Sequence, residues 1–227
     1  GSVDEPADAT GLAHYLEHVM FKGSSNVGTT NWEKEQVHYQ NIIDLYDQLR
    51  EAPEAERAAI QKKINEESIL AGQYTINNEF SNLIQSIGGT SLNASTGYEM
   101  TQYFNVFPSY QLKKWLELNV DRFSSPVYRG FQAELETVYE EKNMYSDNPF
   151  SVLSEEFSRQ IYGAQSVYGR SIIGETEHLK TPSLRKLIEF YQTYYVPANM
   201  ALVLSGDVNA EAVKPLLEAT FGGWTPA

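Results

Sequence analysis

Apolar residues recur every three or four positions through much of the chain, which is the spacing of one buried helix face. Three short stretches, 90–96, 101–107 and 200–205, are instead predicted as strands. The excess of helix over strand favours a mixed α+β class. Helices are predicted over segments 8–23, 32–49, 54–74, 80–87, 109–123, 132–144, 150–161, 181–191 and 210–221, with Thr181-Pro182 opening the eighth.

Two consecutive helical segments, 32–49 and 54–74, are separated by Pro53, which ends the first of them. The second is rich in Ala, Glu and Lys and carries only a narrow apolar seam. Together they predict a helical hairpin with an exposed second helix.

The composition fits one globular domain with a hydrophobic core, and it argues against a disordered, nucleic-acid-binding or membrane-spanning protein. Hydrophobic residues make up 41% of the chain and charged residues 21%, which argues against wholesale disorder. The 17 basic and 30 acidic residues give a formal charge of −13, which repels a phosphate backbone, so no nucleic-acid partner is expected. The longest apolar run, 200–204, is far shorter than the roughly 20 residues that cross a bilayer, so no membrane span is expected.

Two of the four histidines lie in the pattern His14-Tyr15-Leu16-Glu17-His18, the reverse of the H-E-x-x-H signature of zinc peptidases. On a helix, residues four apart share a face, so both imidazoles can reach one ion. Glu17 shares this face and is placed to take a proton from a water on the ion. Cysteine is absent, so any metal must be bound by His, Asp or Glu.

The opposite face of the same helix is apolar, which predicts that it packs in the core. Its residues are Leu12, Tyr15, Leu16 and Val19. The alternative interpretation is an ordinary core helix whose two histidines bind no metal.

A catalytic zinc site needs a third protein ligand and leaves one position open for water. The candidates are His38, His178 or a carboxylate from the acidic segment 134–141. Glu134 and Glu141 are spaced i, i+7 and share a helix face, so one of them could bind metal while the other orients a ligand. A solvated acidic face without metal is the alternative.

Segment 11–23, GLAHYLEHVMFKG, resembles the active-site helix of the pitrilysin/insulysin (insulinase) family of zinc metallopeptidases, which includes mitochondrial processing peptidase. Further motifs resemble the family in the same order along nearly the whole chain, which is identified as the N-terminal, active-site half of such an enzyme. They are Gly88-Gly89, Leu92–Thr96, Glu134 to Glu141, Asp147-Asn148-Pro149, Tyr168-Gly169, Ile173-Gly174, Tyr195–Met200 and Gly206–Val208.

The resemblance implies an α+β fold with a largely antiparallel sheet flanked by helices, as in LuxS-like and processing-peptidase-like metallohydrolases. It implies that His14, His18 and Glu141 bind one zinc ion per chain. Glu17 matches the general base of the family, and Glu134 matches the glutamate that supports the site from the second layer.

A zinc-dependent endopeptidase acting on peptides or small unfolded proteins is the activity that the resemblance implies. Asn93 and Ala94 match the edge strand that binds substrate backbone in this family. A homologous second half, in the same polypeptide or in a separate subunit, is expected to close over the substrate. The alternative is a non-catalytic scaffold or partner subunit of the same fold, although such subunits normally lose the motif residues that are intact here.

The domain organisation is interpreted as one catalytic-type domain over residues 1–227. Its N-terminal strands are expected to be missing, because the chain starts just before the motif helix. Residues 32–78 are interpreted as an inserted helical hairpin without a catalytic role. His38 and His178 are expected at the surface, and the bacterial periplasm or envelope is favoured over the cytoplasm.

Overall fold

Helices form most of the secondary structure, as predicted. The computed structural model describes residues 1–180 and 183–225. The predicted helix start at Thr181-Pro182 lies outside the described residues. The helices are α1 (Leu12–Val19), α2 (Trp32–Glu51), α3 (Glu54–Gly72), α4 (Glu79–Ser86), α5 (Leu112–Ser124), α6 (Phe131–Asp147), α7 (Pro149–Tyr162), α8 (Thr176–Lys180), α9 (Leu184–Tyr194) and α10 (Ala210–Thr220).

Two strands, β1 (Thr90–Thr96) and β2 (Thr101–Val106), form an antiparallel hairpin. Thr96 pairs with Thr101, and Ala94 pairs with Tyr103, so these four side chains share one face of the hairpin. From this face Thr96 contacts Glu17 of α1. The predicted α+β class is confirmed, with helix in excess of strand.

The predicted strand at 200–205 is wrong for the described part of the chain. The segment is predicted as a buried strand, but residues 201–203 are exposed, and only Met200 and Leu204 are half-buried, each against a different apolar cluster. The backbone between them pairs with neither β1 nor β2, which are the two strands of the described sheet. A short apolar run favours a buried strand, but a strand also needs a hydrogen-bonded partner, and local sequence does not show one.

Helix α1 lies in the middle of the main apolar core. Leu12, Tyr15, Leu16 and Val19 are buried on one face, as predicted. They belong to a cluster that also contains side chains of α2, α6 and α9, and the hydroxyl of Tyr15 donates to the backbone carbonyl of Phe131 at the start of α6. The polar face of α1 is therefore held in a fixed position relative to α6.

A buried carboxylate holds the N-terminal end of α1. Glu5 accepts hydrogen bonds from the backbone N–H groups of Gly11 (2.8 Å) and Ala13 (2.7 Å), which a helix start otherwise leaves unpaired. Gly11 has a φ of +87°, and a Cβ there would lie 2.6 Å from the carbonyl oxygen of Ile173, so glycine is required. These contacts fix the turn that precedes His14.

A buried ion pair holds the loop after the C-terminal end of α1. Arg129 and Glu35 have side chains only 5% and 2% exposed, and the guanidinium donates to both carboxylate oxygens, at 2.5 and 3.0 Å. The same guanidinium donates to the carbonyl oxygens of Lys22, Ser24 and Val27 in this loop. One cation thus links α2 to the end of α1.

Helices α2 and α3 are neighbours joined at Ala52-Pro53, and they form the hairpin that the sequence predicts. Ile42 and Tyr46 of α2 and Ile64 of α3 are buried in the main core. The hairpin is therefore packed onto the domain rather than fully solvated, mainly through α2.

His38 and His178 lie partly exposed near the surface, and each is hydrogen-bonded. Both are partly buried. His38 Nδ1 lies 2.7 Å from Glu67 Oε2, between α2 and α3, and His178 Nδ1 accepts from the backbone N–H of Thr10 at 3.2 Å. Among the described residues no helix is both long and apolar enough to cross a bilayer.

Candidate metal centre

Two imidazoles and one carboxylate converge where α1 passes α6. Glu141 Oε2 lies 3.8 Å from His14 Nε2 and 3.4 Å from His18 Nε2. One donor atom from each of these three residues lies within 4.8 Å of the other two. Within residues 1–180 and 183–225 this is the only group of three such side chains that could hold a metal ion, and it includes neither His38 nor His178.

The spacing of these donor atoms suits a tetrahedral zinc ion. Two ligands at about 2.1 Å from zinc are about 3.4 Å apart at the tetrahedral angle. The separations of 3.4 and 3.8 Å are close to this value. They exceed the roughly 2.7–3.2 Å of a good N–H···O hydrogen bond. Two imidazoles, one carboxylate and an open fourth position are the donor set of a catalytic zinc site, so the residues present fit the ion.

Glu134 lies one layer behind this group and contacts His18 from α6. Its Oε1 is 3.0 Å from His18 Nδ1, and its Oε2 is 2.5 Å from Lys22 Nζ. The hydrogen bond from His18, assisted by Lys22, lowers the pKa of Glu134 to about 2. An ionised Glu134 holds the proton on Nδ1 of His18, which leaves the lone pair of Nε2 directed toward Glu141.

The two imidazoles differ in their protonation. Burial, together with the nearby charge of His18, lowers the pKa of His14 to about 4, so His14 is neutral at physiological pH. Burial also lowers the pKa of His18, but the hydrogen bond to Glu134 and the charges of Glu134, Glu141 and Glu17 outweigh it and raise the pKa. His14 Nδ1 is buried and has no hydrogen-bond partner among the described residues, so nothing there corresponds to the support that Glu134 gives His18.

Glu17 faces the same space from α1, beside the two histidines. It is only 8% exposed, and its Oε2 accepts a hydrogen bond of 2.6 Å from the hydroxyl of Thr96 on β1. Burial raises the pKa of Glu17 above its usual value, although the bond from Thr96 opposes the shift. A carboxylate with a raised pKa is a stronger base than an exposed one.

A groove of about 1000 Å³ opens above these residues. Its floor is formed by His14, Glu17, His18 and Glu141, one wall by residues 93–96 of β1, and the other wall by α7. The wall from α7 presents Phe150, Ser154 and Ser158.

Asn93 and Ala94 both line the groove, as their predicted role requires. The side chain of Asn93 is exposed, and its Oδ1 accepts from the backbone N–H of Ala94 at 2.9 Å. Substrate binding by this pair stays a prediction.

Lys22 and Thr96 belong to the site and are not identified by sequence reasoning. Lys22 lies four residues after His18, so helical spacing could have suggested that it faces the acidic helix. Thr96 has no such signal, since its contact with Glu17 depends on where the β1–β2 hairpin packs.

The two ends of the chain match two family models. Residues 1–38 match the model described as insulinase (peptidase family M16), and residues 183–227 match the model described as the M16 peptidase inactive domain. Together with relatives along the whole chain, these matches confirm the resemblance seen in the motifs. Both ends of the chain are thus similar to peptidases of the M16 (insulinase) family.

Curated relatives of the chain are named as zinc proteases. An uncharacterized zinc protease of Mycobacterium leprae is 26% identical over 228 residues, which cover 98% of this chain and 39% of the relative. Zinc protease PqqE of Helicobacter pylori is 26% identical over 224 residues, 97% of this chain and 39% of the relative. The chain thus spans about two fifths of the length of these relatives.

Solved structures share the fold of the chain over its whole length. A protease from Helicobacter pylori gives a TM-score of 0.73 at 24% identity, covering 100% of this chain and 44% of that one. The first half of the periplasmic protease PqqL from Escherichia coli gives a TM-score of 0.70 at 18% identity, covering 100% of this chain and 40% of that one.

Proposed function

We propose that this chain is the active-site half of a zinc-dependent endopeptidase. The observation that carries the proposal is the convergence of His14, His18 and Glu141 at ligand spacing, with Glu17 on the same helix face. The names of the curated relatives support zinc as the metal, at one ion per chain. Glu134 completes the site by holding His18 in the tautomer that a metal needs.

In the proposed reaction the ion acts as a Lewis acid and Glu17 transfers the proton. A zinc ion bound there supplies Lewis acidity, which makes water more acidic and stabilises negative charge on a carbonyl oxygen. Glu17 takes the proton from the attacking water and delivers it to the leaving amine. The raised pKa of Glu17, caused by its burial, suits both transfers because the carboxyl group must bind and release the proton near neutral pH.

An extended peptide is the proposed substrate, bound along β1. One edge of β1 pairs with β2, and residues 93–96 also line the groove, so a peptide can be added at the unpaired edge as a further strand. Asn93 and Ala94 are the proposed backbone contacts. Side chains on the far side of the peptide would meet Phe150 of α7, which is 82% exposed.

A homologous second half, in the same polypeptide or in a separate subunit, is proposed to enclose the peptide. The likeness to the first half of PqqL supports this, as does the coverage of two fifths of the curated relatives. The bacterial periplasm or envelope is the proposed location, supported by the periplasmic origin of PqqL.

The test measures zinc content and hydrolysis of a short internally quenched peptide by the full-length protein. Glu17→Gln should retain about one zinc per chain and lose about 10²- to 10⁴-fold in turnover, because only the proton transfer is removed. His18→Ala should lose zinc. His38→Ala removes a histidine outside the groove and should change neither quantity.

Three outcomes would contradict parts of the proposal. Full zinc occupancy in His18→Ala would remove His18 from the ligands, and near-normal turnover in Glu17→Gln would remove the general base. A wild-type protein that binds zinc and cleaves no peptide would favour the non-catalytic scaffold.

A further inference from the structure

Two threonine hydroxyl groups form a row behind Glu17. Thr96 Oγ1 lies 2.6 Å from Glu17 Oε2 and 3.2 Å from Thr101 Oγ1. Because Thr96 and Thr101 are paired across the β1–β2 hairpin, the row links Glu17 of α1 to both strands.

The direction of both hydrogen bonds in the row follows from Glu17. A hydroxyl has one proton to donate, and Thr96 gives its proton to the carboxylate of Glu17. Thr96 can then only accept from Thr101. Because both O–H groups point toward Glu17, the two bonds strengthen each other.

The hairpin that carries the two threonines is anchored in the core. Tyr103 shares the hairpin face of Thr101, and its hydroxyl oxygen lies 2.9 Å from that of Tyr195. The ring of Tyr103 packs against Phe123 of α5, with centroids 5.2 Å apart, and the guanidinium of Arg122 lies 5.0 Å from its centroid. The packing of β2 therefore holds Thr96 in place beside Glu17.

The two oxygens of Glu17 are consequently not equivalent. Oε2 is held by Thr96, whereas within the described residues no group donates to Oε1. We infer that Thr96 is a positioning residue that fixes Oε2 and leaves Oε1 as the oxygen that exchanges the proton. The inference rests on the proposed function, since only a general base needs one oxygen directed at the reacting water.

Two substitutions of Thr96 separate its hydroxyl from its shape. Thr96→Val keeps the shape and removes the donor, whereas Thr96→Ser keeps the donor. In the zinc-loaded full-length protein with a short internally quenched peptide, Thr96→Val should lower kcat about 10- to 100-fold. Its KM should stay within about threefold, and Thr96→Ser should stay within about threefold of wild type in both constants.

The matched control is Thr193→Val, which removes an exposed hydroxyl on α9 that donates to the backbone carbonyl of Glu189. It should leave kcat and KM unchanged. Zinc content should equal that of wild type in all three variants, because none of the substituted side chains is a proposed ligand. Crystal structures should show the Glu17 carboxylate rotated in Thr96→Val and unmoved in Thr96→Ser.

Two results would overturn the inference and leave the zinc peptidase intact: a kcat of Thr96→Val equal to wild type, or a Thr96→Ser protein as slow as Thr96→Val. A wild-type protein that neither binds zinc nor cleaves the peptide would overturn the proposed function instead. In that case the crystal structures still test the positioning role of Thr96. An unmoved Glu17 carboxylate in Thr96→Val would show that Thr96 does not position it.

Discussion

The two ends of α1 are held by buried charges of opposite kinds. At the N-terminal end, Glu5 accepts only backbone N–H groups. At the C-terminal end, Arg129 meets a full negative charge on Glu35 and three further carbonyl oxygens. The first end relies on the partial charges of a helix start, whereas the second relies on a complete ion pair.

Because of this difference, the N-terminal end of α1 should respond to pH, whereas the C-terminal end should respond to loss of its cation. Burial raises the pKa of Glu5 to about 7, so the N-terminal end is held by a group whose charge varies within the physiological range. Loss of Arg129 would instead leave a buried carboxylate without a cation. His14 lies in the first turn of α1 and His18 in the last, so each end also carries one proposed zinc ligand.

The largest effect is expected from Arg129→Met. It should lower the free energy of unfolding by about 3–5 kcal/mol, because Glu35 is left buried and unpaired. Urea unfolding followed by circular dichroism measures the loss. Arg129→Met combined with Glu35→Leu should recover part of the stability, since no buried charge then remains. A double variant less stable than Arg129→Met would show that the pair is not the reason for the loss.

Local spacing predicts α1 and the pairing of its histidines, because residues four apart on a helix share a face whatever surrounds them. Spacing alone leaves His38, His178 and two glutamates as candidates for the third ligand, and only the family resemblance singles out Glu141. The strand at 200–205 is predicted wrongly because a strand depends on a partner segment.

No local sequence pattern identifies the residues that hold the two ends of α1. Glu35 and Arg129 are separated by 94 positions, and a charged residue in a sequence looks the same whether it is buried or solvated. Glu5 lies outside the helix that it caps, six residues before Gly11, and so lacks the usual spacing of an N-cap. Such contacts follow from the tertiary fold and not from periodicity.

A smaller loss of stability is expected from Glu5→Ala. Two buried N–H groups lose their acceptor, which should lower the free energy of unfolding by about 1–3 kcal/mol. Asp4→Ala is the matched control, since Asp4 is an exposed neighbour and its removal should cost less than about 0.5 kcal/mol. Equal losses in the two variants would argue against the capping role of Glu5.

The pH dependence of stability should separate the two ends further. Because the pKa of Glu5 is near 7 in the folded protein and about 4.5 in the unfolded chain, the folded state binds more protons between these values. Wild type should therefore gain stability relative to Glu5→Gln as the pH falls from about 7 to about 4.5, by at most about 1.4 kcal/mol per pH unit. Denaturant titrations at several pH values measure the difference, and a constant difference would contradict the raised pKa.

The smallest expected effect is the energetic coupling between the two ends in metal-free protein. Eight residues at about 1.5 Å each separate them by about 12 Å, a distance at which substitutions usually act independently. A double-mutant cycle of Glu5→Ala and Arg129→Lys, measured with a chelator present, should give a coupling below about 0.5 kcal/mol. With zinc bound, His14 and His18 would tie the first and last turns to one ion, so the coupling should grow. A large coupling without metal would mean that α1 responds as one rigid unit and that its two ends are not held separately.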